Sequence, residues 1–280
     1  MKNSDSMRSS TRIYLLATVG LTAIAAILGI LSILLNYDIG IGYYSHHSVL
    51  PVVLTVLCTA SVIFFAVFSI FRFRRGASAY AKVPTLAVRI TAALAAAVAL
   101  LLAIADLRSG ASLLLLLIGF GTCLYFLLMA SNKHTPALSL AFGFCAILRL
   151  TLEIARSYTN LLIPMNSPEK IWLHLSAAMG IFFLISELRA LITKPYTATF
   201  FFAAASATLL CSTASLTILF GILSNRVYGA QTKSETLFAA LTLCLALYAG
   251  ARLFTVARNS RPEDESEKEI DQTIEDPEEN

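Results

Sequence analysis

The strongest constraint on this chain is a set of eight apolar stretches, each long enough to cross a bilayer. They cover residues 13–35, 49–71, 85–105, 112–130, 136–155, 171–192, 197–223 and 235–257. A hydrocarbon core of about 30 Å takes roughly 20 apolar residues of helix. Backbone groups in lipid have no water to bond, and these long continuous runs do not alternate as barrel strands do, so the stretches are expected to be helices. Only 14% of the residues are charged, against about 25% in a soluble domain. A chain this apolar cannot cover itself with polar surface. The expected fold is all-α: a polytopic membrane helical bundle of eight transmembrane helices over residues 13–257. It is flanked by a cytoplasmic N-terminal segment, 1–12, and a disordered acidic cytoplasmic tail, 258–280.

The distribution of charge predicts the orientation. With the N-terminus inside, the inner segments hold fifteen Lys and Arg and the outer loops five, with Arg149 left inside the membrane. The positive-inside rule then places both termini in the cytoplasm and the chain in the cell (cytoplasmic) membrane as a multi-pass protein. Residues 262–280 carry ten acidic residues and one Lys, a net of 1 − 10 = −9. Such a tail is too charged and too poor in apolar residues to fold, and it is a candidate dock for a protein partner. The first stretch follows a short basic leader, but it is longer than the roughly 7–15 residues of a signal-peptide core, so it reads as a retained first span.

No proline falls in the middle of a stretch, and only Gly119 and Gly121 hint at the kind of broken helix that marks many transporter sites. Ala92, Ala93, Ala95, Ala96 and Ala97 in the third stretch, and Ala203, Ala204, Ala205, Ser206 and Ala207 in the seventh, predict close helix–helix contact. The even spacing of the stretches also allows a 4+4 arrangement of two halves.

Ionisable residues within a span are expensive and therefore mark candidate sites. Arg149, Glu153 and Arg156 are spaced to share one helix face. His174, early in the sixth stretch, is expected at a similar depth. Arg149, Glu153 and His174 thus form a candidate ligand-binding or proton-linked polar cluster near the outer surface. The plainer alternative is an i,i+4 ion pair with interfacial snorkelling. Arg89 and Glu187, opposite in charge and both near the inner surface, are expected to form an inner-leaflet ion pair. Asp38, His46 and His47 in the first outer loop are weak metal-ligand candidates, since adjacent loop histidines lack the spacing of a helical HxxxH pair. Arg72, Arg74 and Arg75 could meet anionic lipid at the inner surface of the bilayer. The five cysteines lie inside apolar runs without a CxxC and read as packing residues.

There is no HExxH, GxSxG or phosphate-cradling GxxxxGK[ST], nor any nucleic-acid or cofactor motif. The residues point first to small-solute transport, or to a membrane ligand-binding or accessory subunit, acting through the polar cluster of the fifth and sixth spans. A non-enzymatic sensor or scaffold using the acidic tail is the alternative. A lipid-modifying intramembrane enzyme is the third reading.

Overall fold

The computed structural model describes residues 2–45, 48–73, 85–131, 135–159, 167–192, 197–226 and 233–259. Among them are eight helices: α1 Lys2–Asn36, α2 Val49–Phe73, α3 Leu86–Arg108, α4 Leu113–Ala130, α5 Pro136–Thr159, α6 Pro168–Ile192, α7 Thr197–Leu223 and α8 Lys233–Asn259. All eight are long and apolar enough to cross a membrane. A two-residue hairpin, β1 Tyr37–Asp38 with β2 Tyr43–Tyr44, ties the loop after α1, with Tyr37 opposite Tyr44. The protein is an all-α, multi-pass membrane protein.

Six helices close a ring. Each of α3 to α8 packs on its neighbour in sequence, and α3 returns to pack on α8. The remaining two, α1 and α2, pack on each other and on α7, outside the ring. This makes α7 the hub, with 67% of its spanning window buried inside the protein against 28% for α2. The composition of α7 explains its place. Ala203, Ala204, Ala205, Ser206 and Ala207 are all fully buried, and small side chains let several helices approach one backbone. On the outer surfaces, Leu16, Phe71, Leu86 and Leu113 are exposed, as lipid-facing residues must be.

Contacts across the bundle fix two sides. On the N-terminal side, the Tyr14 hydroxyl of α1 lies 3.1 Å from Ser69 Oγ of α2 and donates to the Phe201 carbonyl of α7 at 3.1 Å. Phe73 stacks on Phe201 there, with ring centroids 4.0 Å apart. On the same side, Thr85 at the start of α3 shares a 2.8 Å hydrogen bond with Thr255 near the end of α8. On the opposite side, Arg226 after α7 donates to the Leu34 carbonyl near the end of α1.

Polar side chains inside the spans mostly satisfy themselves locally. Thr18, Ser32, Ser61, Thr122 and Thr208 each donate to the carbonyl four residues back, a bond available without leaving the helix. The helix α4 runs unbroken through Gly119 and Gly121. Their role is close approach: a Cβ on Gly121 would lie 2.7 Å from the Cβ of Cys145 on α5.

Candidate functional site

Among the described residues, the largest fully buried side chain is a charged one, Arg149. It projects from α5 into the ring, on the side away from the N-terminus. Its Nη2 donates to Glu153 Oε1 at 2.5 Å, and its Nη1 lies 2.7 Å from Asp106 Oδ2 of α3. The contact with Asp106 has the distance of an ion pair without the alignment of a hydrogen bond, and Nε of Arg149 makes no hydrogen bond.

Arg156, half-exposed at the rim, adds a second cation. Its Nη1 lies 3.5 Å from Asp106 Oδ1 and 3.9 Å from Glu153 Oε1, and it donates to Ser234 Oγ of α8 at 3.1 Å. Ser234 in turn donates to Asp106 Oδ1 at 2.9 Å. The network therefore joins α3, α5 and α8 across one mouth of the ring. Arg149, Glu153 and Arg156 reach it together because their spacing puts them on one stripe of α5.

Asp106 occupies an unfavourable place. It is fully buried in the last turn of α3, where backbone carbonyls give the helix end a partial negative charge. Two guanidinium groups and a hydroxyl offset that placement. The sequence reading missed Asp106 because it ended the third span at residue 105, whereas the helix runs to Arg108. Had the span been extended by one turn, Asp106 would have fallen at the same depth as Glu153. Ser234 gave no comparable signal.

His174 is placed on α6, with no hydrogen bond or ion pair to this network. Its Nε2 is buried without a hydrogen-bond partner, and the nearby charge acting on it is Lys170. Of the predicted cluster, the structure brings Arg149 and Glu153 together and leaves His174 apart.

A second ionic layer lies near the other mouth. Glu187 of α6 is fully buried, and its Oε1 accepts from Arg252 Nε at 2.7 Å and from the Tyr248 hydroxyl at 2.8 Å. The cation on this oxygen is Arg252 of α8, rather than the Arg89 of α3 expected from depth and charge. In the sequence, Arg252 counts only as one of the fifteen basic residues of the inner segments. Its spacing from Tyr248, one helical turn, was the available signal. Ser234 and Arg252 lie on one helix, about 27 Å apart at ~1.5 Å per residue.

Between the layers the interior is uncharged and mostly apolar, with Thr122 and the hydrogen-bonded Ser215–Thr242 pair among its buried polar groups. Phe126 packs edge-on against Tyr248, with centroids 5.7 Å apart, and Phe183 packs edge-on against the same ring at 6.0 Å. A small cavity lies below Arg149, lined by Thr122, Phe126, Ala146, Leu150, Leu184, Leu241 and Leu245 besides Arg149 itself. It has room for about one water molecule.

Among the described residues, no three His, Cys, Asp or Glu side chains gather to hold a metal ion. Asp38 caps the first-loop hairpin instead, accepting from the Gly40 N–H at 2.9 Å. His46 and His47 lie outside the described residues, as do Arg74, Arg75 and the acidic tail from residue 260. Arg72 lies in the last turn of α2. All five cysteines are free thiols. No protein-family model, curated protein or solved structure matches the chain.

Proposed function

We propose that the protein moves a small solute across the membrane along the axis of the six-helix ring. The observation that carries this reading is the pair of buried ionic layers, one near each mouth, with a mostly apolar stretch and a small cavity between them. Charge buried on both sides of a mostly apolar interior is costly. Such layers suit a path that is closed at both ends and opens one end at a time by exchanging ion-pair partners. The unbroken helices fit rigid-body tilting of ring members better than local unwinding.

In this reading the N-terminus lies in the cytoplasm, so the Arg149 network closes the outer mouth and Glu187 with Arg252 closes the inner one. Arg72, Arg74 and Arg75 then face anionic headgroups of the inner leaflet. The proposed path takes α3 and α4 from one half of the chain and all four helices of the other, so it does not follow a 4+4 division.

The test begins with gentle purification and mass spectrometry of any small molecule that stays bound. Uptake of that molecule into proteoliposomes is then compared between the wild type and Glu187→Gln. The expected result is uptake by the wild type and at least about a tenfold loss in the variant, the effect of weakening one charged contact by ~1.4 kcal/mol or more. If no small molecule is retained, and osmotic swelling shows no passage of amino acids, sugars or monocarboxylates, the transport reading fails.

A further inference from the structure

We infer that α5 and α6 form a lever that rocks about Gly180, so that the two ionic layers act as latches, one staying closed while the other opens. The inference rests on the solute-path reading only for what the movement carries.

The frame of this device is the pair α3 and α8. They pack on each other, and side chains pin them at both ends, Thr85 to Thr255 at 2.8 Å and Ser234 to Asp106 at 2.9 Å. The lever is the pair facing them across the ring. α5 packs closely on α4 and α6, and α6 on α5 and α7. Gly143 of α5 helps to hold the two together, since a Cβ there would lie 3.1 Å from Leu188 Cγ of α6. The lever is tied to the frame at opposite ends. α5 reaches it at the mouth away from the N-terminus, where Arg149 lies 2.7 Å from Asp106 and Arg156 lies 3.1 Å from Ser234. α6 reaches it at the other mouth, where Glu187 holds Arg252 at 2.7 Å and Tyr248 at 2.8 Å.

Gly180 of α6 lies between the two latches. A Cβ on it would lie 2.8 Å from Leu245 Cδ2 of α8, 3.3 Å from Leu150 Cδ1 of α5 and 3.9 Å from Cys211 Sγ of α7. Three helices thus press on α6 at one point that carries no side chain, the close approach that small residues permit in membranes. Contacts at such a point move least when a helix tilts. Room for tilting adjoins it, because Leu150 and Leu245 also line the small cavity, with Leu184 of α6. A lever turning about its middle moves its ends in opposite senses. Swinging Glu187 away from Arg252 therefore presses the far end of α5 toward Asp106. Opening both mouths together would part both sets of buried ions, and each parted set costs several kcal/mol.

The test is double electron–electron resonance on the full-length protein in lipid nanodiscs, with no solute present. Spin labels are carried on noncanonical residues, so that Cys211 stays in place. One pair, at Ser109 after α3 and Tyr158 on α5, reads the Arg149 mouth. A second, at Ile192 on α6 and Arg258 on α8, reads the Glu187 mouth. All four positions are exposed. Ile192 lies about 18 Å along the helix from Gly180 at ~1.5 Å per residue, so a tilt of about 15° moves it by about 5 Å. Glu187→Gln is expected to lengthen the second pair by about that much and not the first. Asp106→Asn, which removes the charge facing Arg149 and Arg156 but keeps an oxygen for Ser234, should lengthen the first pair and not the second. Adding Gly180→Ala to either variant should return the lengthened pair to its wild-type distance, because the new methyl drives Leu245 into the cavity. Leu245→Ala on top of it should restore the opening. Ala146→Val, which fills the cavity from α5, should jam the lever in the same way. Simple fraying of a helix end would respond to neither. The inference is overturned if either charge variant lengthens both pairs, if neither lengthens any, or if Gly180→Ala and Ala146→Val leave the openings unchanged. The expected pattern in a protein that moves no solute leaves the lever standing and removes the transport reading alone. Solute uptake by a protein whose distances never respond removes the lever alone.

Discussion

Arg149 is enclosed by protein on all sides, yet its two carboxylate partners come from different helices. That arrangement makes it the residue whose loss the fold would feel most. Arg149→Leu leaves Asp106 and Glu153 buried beside each other with only the rim cation Arg156, and should destabilise the protein by about 3–5 kcal/mol. Unfolding titrations in mixed micelles would measure this. Adding Asp106→Asn and Glu153→Gln to the same variant removes the stranded charges and should recover most of the loss. If the triple variant is as unstable as the single one, packing of the Arg149 stem matters more than charge. Half of this network was legible in the sequence. The spacing of Arg149, Glu153 and Arg156 is a local property that one helix repeat reveals. Asp106 and Ser234 join it through tertiary contacts, as Arg252 joins Glu187 in the other layer, and at the ends of apolar runs all three look like ordinary interfacial residues. His174 was grouped with Arg149 and Glu153 on depth, and depth does not say which way a helix face turns.

Helices were the most legible elements, because lipid leaves the backbone no alternative. The predicted 197–223 span coincides with α7, and the others differ by a few residues at their ends. α1 differs more, since its helix begins at Lys2, a polar segment that hydropathy cannot assign to a helix. The contact sites were less visible. Gly119 and Gly121 raised the prospect of a broken helix, but Gly121 serves the crossing of α4 and α5. Gly121→Ala should therefore cost about 1–3 kcal/mol, because neither Cys145 Cβ nor the helix backbones can give way freely. Gly20 on α1 is the matched control, with nothing near the position a Cβ would take. Gly20→Ala should be neutral or stabilise by up to ~1 kcal/mol through helix propensity. Equal effects of the two substitutions in an unfolding titration would mean that the α4–α5 crossing is looser than the structure has it.

For the whole molecule, the two sides of the bundle can be told apart by chemistry. Single cysteines in place of Ser109, in the turn after α3, and Ile41, in the first-loop hairpin, should react with an impermeant thiol reagent added to intact cells. A cysteine in place of Ser131, after α4, should react only once the cells are opened. The reverse pattern would invert the protein and exchange the outer and inner assignments of the two ionic layers. The placement of α1 and α2 outside the ring has a further consequence, for biosynthesis. These two helices are made before the other six, and the helix that receives them, α7, is completed about 150 residues after α2 ends. At roughly 5–20 residues per second that gap is about 8–30 seconds. For most of it Tyr14 and Ser69 are both made, while the Phe201 carbonyl that completes their joint has not yet been synthesised. The newborn chain thus passes through a stage in which its first hairpin is a free-standing guest in the lipid, and α7 must find it there before the protein is whole.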